Sequence, residues 1–193
     1  MGEIVVLRHG QTEWSRSGQH TSVTDLPLLP EGEEQARALG GVLGRRKFVE
    51  VWVSPRQRAL RTAELAGLRP TAVDQDLVEM DYGGYEGRTT AEISAELGRT
   101  WSVWRDPMTP GASPGETLAD VAARVDRVLD RARARLDEGD VMLIAHGHVL
   151  RVLTARWLGL GPEAGALFAL PAGSFGILGH EHARQVLRGW GLG

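Results

Sequence analysis

Residues 3–10 read Glu-Ile-Val-Val-Leu-Arg-His-Gly, and residues 141–148 read Val-Met-Leu-Ile-Ala-His-Gly-His. Each is a short, continuous apolar run that ends in a histidine and a glycine. Runs of this kind suit strands buried on both faces, as in the centre of a parallel sheet. Open α/β sheets bind ligands beyond the carboxyl ends of their strands. Two strands ending alike therefore predict that His9 and His146 point into one crevice.

Outward from these strands, a polar loop is expected from Gly10 to about Pro30. A helix is expected over 31–47, with Ala36, Leu39, Gly40 and Leu43 on one face, Pro30 at its first turn and Leu29, a poor cap, before it. A strand at 49–53, a helix at 56–66 and a short strand at 71–74 follow. Helices are expected at 90–105 and 115–137, the second opened by the capping-box spacing of Ser113 and Glu116. A helix at 148–158 and strands at 166–170, 174–179 and 184–188 complete the chain. This alternation predicts an α/β fold, a three-layer α/β/α sandwich around a mostly parallel sheet. One domain over 1–193 is expected, with a small insertion at about 85–115.

Composition narrows the chemistry. The 193 residues contain no cysteine, which excludes disulfides, thiolate metal sites and cysteine nucleophiles. A net charge of −3 gives no general attraction to nucleic acid or an anionic membrane, so an anion must be held by a local cluster. Lys47 is the only lysine, so a catalytic lysine is not expected. No apolar stretch approaches the ~20 residues of a membrane span, and 4–7 is too short for a signal segment. A cytoplasmic protein is expected.

A third strand end supplies arginine. Val51-Trp52-Val53 leads into Ser54-Pro55-Arg56-Gln57-Arg58, and an arginine near a helix N-terminus suits a phosphate. Arg8 and Arg58 with two histidines make an anion pocket. Cleaving a phosphate ester also needs a proton for the departing alkoxide. Leu77-Val78-Glu79-Met80-Asp81-Tyr82-Gly83 offers two acids among apolar neighbours, where partial burial favours a protonated carboxyl group. Spacing does not separate Glu79 from Asp81.

In order along the chain, Leu7 to Trp14, Ser54 to Ala59, Glu79 to Gly83 with Tyr85-Glu86-Gly87, Pro114-Gly115-Glu116 and Ala145 to His148 strongly resemble the motifs of the phosphoglycerate mutase-like histidine phosphatases. The resemblance implies that His9 is a nucleophile that becomes phosphorylated. It implies that Arg8, Arg58 and a protonated His146 clamp the phosphoryl oxygens beside the Gly147 amide. It makes Glu79, four residues before Gly83, the acid and base. It also places the insertion over the active site.

Many members carry asparagine where this chain has Ser15, whose hydroxyl is expected to keep a phosphate contact. The loop with His20, Thr21 and Ser22 resembles the branch of sedoheptulose-bisphosphatase-like enzymes and broad acid phosphatases. His20, Thr21, Ser22, Tyr82, His148 and Arg151 are candidates to touch substrate. The resemblance implies a phosphatase acting on small phosphorylated metabolites, sugar phosphates or bisphosphates, without cofactor or metal. The pair His146-x-His148 lacks acidic companions, and Arg8 and Arg58 would repel a cation. A homodimer is compatible with this reading. A mutase using the same pocket is the alternative, and a dead phospho-ligand-binding relative is a third; a shorter lid favours hydrolysis. Trp101 and Trp104 are expected to pack the insertion, and His180 and His182, near a terminal hairpin, to be structural or exposed.

Overall fold

The computed structural model describes residues 1–193. Six strands form one sheet in the order β3-β2-β4-β1-β5-β6: β1 Ile4–Arg8, β2 Phe48–Val53, β3 Ala72–Val73, β4 Asp140–Ala145, β5 Phe175–Glu181 and β6 Arg184–Leu192. β1 to β4 run parallel, and β5 and β6 add an antiparallel hairpin. The helices are α1 Glu13–Ser17, α2 Pro30–Leu43, α3 Gln57–Leu65, α4 Thr90–Leu97, α5 Leu118–Arg133 and α6 Gly147–Trp157.

Alternation along the central strands builds two cores. Ile4 and Val6 of β1, with Val141, Leu143 and Ala145 of β4, face α5 and α6. Val5 and Leu7, with Met142 and Ile144, face α2 and α3. The continuous apolar runs are thus strands covered on both sides, and the three-layer expectation holds. No helix is long and apolar enough to cross a membrane.

Local physics moved several boundaries. The expected loop after Gly10 contains α1, because Thr12 and Ser15 close a capping box. The helix expected over 31–47 ends at Leu43, and the one expected over 90–105 ends at Leu97, where Gly98 adopts φ 63°. Helix α5 starts at Leu118 because Thr117 and Asp120 form the capping box; Ser113 instead donates to Asp81, and Glu116 pairs with Arg124. The strand expected at 166–170 does not form. A 3-10 turn over Pro162–Leu167 precedes an irregular segment there, and the Leu170 carbonyl accepts a hydrogen bond from Arg8 at 2.6 Å. The terminal hairpin is longer than expected, running to Leu192.

Candidate active site

Three adjacent strand ends converge. Arg8 pairs in register with Ala145, and Val53 with Ile144. The His9 amide then donates to the Ala145 carbonyl at 3.0 Å, and the Ser54 amide to Ile144 at 2.9 Å. The ladder therefore delivers His9, His146 and Ser54 side by side. The His9 and His146 rings lie 5.1 Å apart. Gly10 is required here, since a Cβ would stand 2.3 Å from the Gly32 carbonyl oxygen.

His9 is buried, and its Nδ1–H donates to the Gly10 carbonyl at 2.7 Å. That bond leaves Nε2 as the free ring nitrogen. Burial, reinforced by Arg58 and Arg8, holds the imidazole well below the usual histidine range. The ring is therefore neutral at neutral pH, with its Nε2 lone pair unshared.

Behind it, Arg58 Nε donates to His146 Nδ1 at 3.1 Å, and His146 Nε2–H donates to the Ser54 hydroxyl at 2.7 Å. Burial, Arg58 and His9 hold His146 well below the usual range. The expected protonated His146 is thus corrected to a neutral ring, because an arginine N–H already fills its Nδ1. The rest of the Arg58 fork donates to the carbonyls of Thr24, Thr21 and Ser22 at 3.1, 3.3 and 3.4 Å. Glu86 fixes that loop by accepting the Ser22 and Thr24 amides.

Glu79 sits at the N-terminus of α6. Its Oε1 accepts the amides of Met80 and Val149, and Oε2 that of His148, each at 2.9 Å. The carboxylate caps a helix whose own cap residue, His146, makes no side-chain cap bond. Asp81 is turned elsewhere: it accepts Gly83 N–H, Ser113 O–H and Gly115 N–H. A Cβ on Gly147 would lie 3.2 Å from Arg8 Cζ, so glycine lets this guanidinium lie against the helix end.

The resulting pocket holds about 270 Å³. Its wall brings together Arg8, His9, Ser15, His20, Thr21, Glu79, Tyr82, Gly147, His148 and Arg151 from the sequence reading. Arg58 and His146 do not border it; they form the layer behind His9. Ser22 is a correction, since its amide is held by Glu86 and its hydroxyl donates to the Glu79 carbonyl. Ser15 reaches the wall, but its hydroxyl proton goes to the Thr12 carbonyl at 3.0 Å. Trp101 is buried packing for the insertion, as expected.

A model of the histidine phosphatase superfamily (branch 1) matches residues 4–193. The chain belongs to that family. The match spans every element that builds the pocket. An acid phosphatase of Mycobacterium tuberculosis is 40% identical over 191 residues, covering 98% of this chain and 92% of the relative. A sedoheptulose 1,7-bisphosphatase of Saccharomyces cerevisiae is 39% identical, covering 82% of this chain and 68% of the relative. A solved mycobacterial glucosyl-3-phosphoglycerate phosphatase superposes with a TM-score of 0.85 at 30% identity, with both chains fully covered. This histidine phosphatase is a phosphoric monoester hydrolase.

Sequence reasoning passed over several residues of the histidine phosphatase site. Ser54 ends β2 just as His9 ends β1, so the strand-end rule could have found it. Trp14, Gln19 and Thr90 line the wall. Thr90 opens α4 within the insertion, so no local motif points from it to the site.

Proposed function

We propose that this enzyme hydrolyses sugar phosphates through a phosphohistidine formed on His9. The observation that carries the reading is the His9 ring: neutral, tied down at Nδ1, with Nε2 left for a pocket that also holds Arg8 and Glu79. Nε2 attacks phosphorus as the bond to the sugar oxygen breaks, and Glu79 gives that oxygen its proton. The Glu79 carboxylate then takes a proton from the water that attacks phosphohistidine. Inorganic phosphate leaves, and His9 and Glu79 are restored. Loose phosphoryl transition states respond mainly to positioning and charge. Arg8 supplies that charge in the wall and Arg58 from behind, so the reading requires no metal.

The sugar preference rests on the pocket and on two relatives. Only two of its fifteen lining residues are hydrophobic, which suits a hydroxylated ligand. Thr21, Thr90, Gln19 and His20 offer hydrogen bonds along it. The relatives named for sedoheptulose bisphosphate and glucosyl-3-phosphoglycerate act on sugar derivatives. The test is phosphate release across a panel of sugar phosphates, bisphosphates and phosphoglycerates, with the phosphoenzyme trapped by rapid quench. Sugar phosphates should lead the panel, with acid-labile label on His9. Interconversion of 3- and 2-phosphoglycerate with little free phosphate would establish a mutase instead.

A further inference from the structure

Arg151 lies on α6, four residues after Gly147, and its guanidinium is fixed in place. Nε donates to the Gly165 carbonyl at 2.9 Å and Nη2 to Ala166 at 3.0 Å. The group stacks over the Trp104 ring, with Cζ 4.5 Å from the centroid. These contacts orient one edge of the fork and leave Nη1 without a protein partner at the pocket wall. No carboxylate forms an ion pair with Arg151; Arg8 opposes its charge, and Glu79 is the acid that favours it.

His148 adds a second donor beside it. Tyr82 Oη and His148 Nδ1 share a hydrogen bond at 2.6 Å; with the hydroxyl as donor, the ring proton lies on Nε2. The ring packs 5.1 Å from Trp104, the same indole that supports Arg151. One part of the wall thus holds an oriented guanidinium N–H and an imidazole N–H. Glu79, the only carboxylate in the wall, is already bonded to three backbone amides.

An underpaired guanidinium in a partly desolvated site is costly until an anion joins it. The geometry points to a second anion subsite formed by Arg151 and His148, which takes a phosphate or carboxylate carried by the substrate whose first phosphate faces His9. This rests on the phosphatase reading above and names the substrates it favours: small esters with two anionic groups. Four residues of helix rise only ~6 Å, and helical side chains lean toward the N-terminus. The second subsite therefore adjoins the first, which selects a compact skeleton.

The experiment compares kcat/KM for phosphate release within matched pairs. Sedoheptulose 1,7-bisphosphate against sedoheptulose 7-phosphate tests a second phosphate; 3-phosphoglycerate against glycerol 3-phosphate tests a carboxylate. The enzyme should prefer the doubly anionic member of at least one pair. Arg151→Gln should cut that preference about tenfold, as expected for one charge-assisted bond, and Arg151→Lys should recover part of it. Equal loss on both members in both variants would make Arg151 a packing residue and overturn the inference, as would a wild-type enzyme without preference in either pair. A wild-type enzyme that releases phosphate from no ester, p-nitrophenyl phosphate included, would remove the phosphatase reading itself and the inference with it.

Discussion

Arg124 grips Glu116 with two parallel hydrogen bonds, Nε to Oε1 at 2.9 Å and Nη2 to Oε2 at 3.0 Å. Its remaining nitrogen donates to the carbonyls of Asp76 and Val78 at 2.8 and 2.7 Å. Glu116 in turn accepts the Asp81 amide at 2.9 Å. The pair therefore brackets Glu79 on both sides along the chain. Arg124→Met should destabilise the fold by roughly 2–3 kcal/mol, below a fully buried pair because Glu116 keeps some solvent contact. As a positioning residue for the acid, it should also lower the rate on an alkyl phosphate more than on p-nitrophenyl phosphate. Loss of stability with that ratio unchanged would reduce the pair to a structural role.

The depressed His9 fixes the acid side of the rate profile. A nucleophile must be unprotonated, and burial beside Arg58 and Arg8 keeps this ring neutral well below the usual histidine range. kcat/KM should therefore show no descending limb near pH 6.5 as the medium is acidified. A limb centred there, abolished with the activity in a His9 variant, would show that the ring titrates normally. His9→Ala should lose at least ~10³-fold in rate with its fold intact.

Stability should move the other way. His9, His20, His146 and His148 all resist protonation in the folded chain, with His20 pushed down to about 4 by burial. In the unfolded chain each takes a proton near 6.5. The unfolded state thus binds more protons below that value, and stability falls as pH drops through it. His20 alone accounts for at most ~3 kcal/mol by pH 4. Thermal melts from pH 7.5 to 4.5 should show a falling Tm, with a shallower slope in His20→Asn. A Tm that is flat or rises on acidification contradicts the burial argument.

The strand ends were the legible part of the site. His9 and His146 follow continuous apolar runs, and strand register alone brings them together. What sequence could not tell was where a hydroxyl or a guanidinium turns. Ser22 and Ser15 look like phosphate ligands in a motif, yet one is held by Glu86 and the Glu79 carbonyl and the other closes a helix cap. Glu116 looked like half of a capping box because its partner, Arg124, lies nearly two turns inside α5. The run at 166–170 has a strand's composition, but a ladder there would take the Leu170 carbonyl that Arg8 uses. At Ser22, Glu116 and Leu170 a contact from outside the local segment won over a local preference, whereas at Ser15 the local cap itself took the hydroxyl.

Metal removal is a direct test of where the site gets its charge. Arg8 borders the pocket, Arg58 backs it, and no group of three histidine or acidic side chains converges to hold a metal ion. Activity should survive dialysis against excess EDTA. Loss that Zn²⁺ or Mg²⁺ restores would replace the arginine-based reading with a metallohydrolase one.

The acid role of Glu79 separates most cleanly by leaving group. Its oxygens accept three backbone amides, and Oε2, with a single donor, keeps a position for the proton that an alkoxide needs. Glu79→Gln removes that proton and turns an amide nitrogen toward a backbone N–H, so a loss of about 1–3 kcal/mol in stability is expected as well. A fall in folded protein slows all substrates alike, whereas loss of an acid does not. Glycerol 3-phosphate, whose alkoxide is a poor leaving group, should slow at least ~10²-fold more than p-nitrophenyl phosphate. Equal slowing of the two esters would take Glu79 out of the acid role. Asp81 could not then inherit it from its present position, since it does not border the pocket and its carboxylate is held by Gly83, Ser113 and Gly115 outside it. The proton would have to come from water or from the Tyr82–His148 pair in the pocket wall.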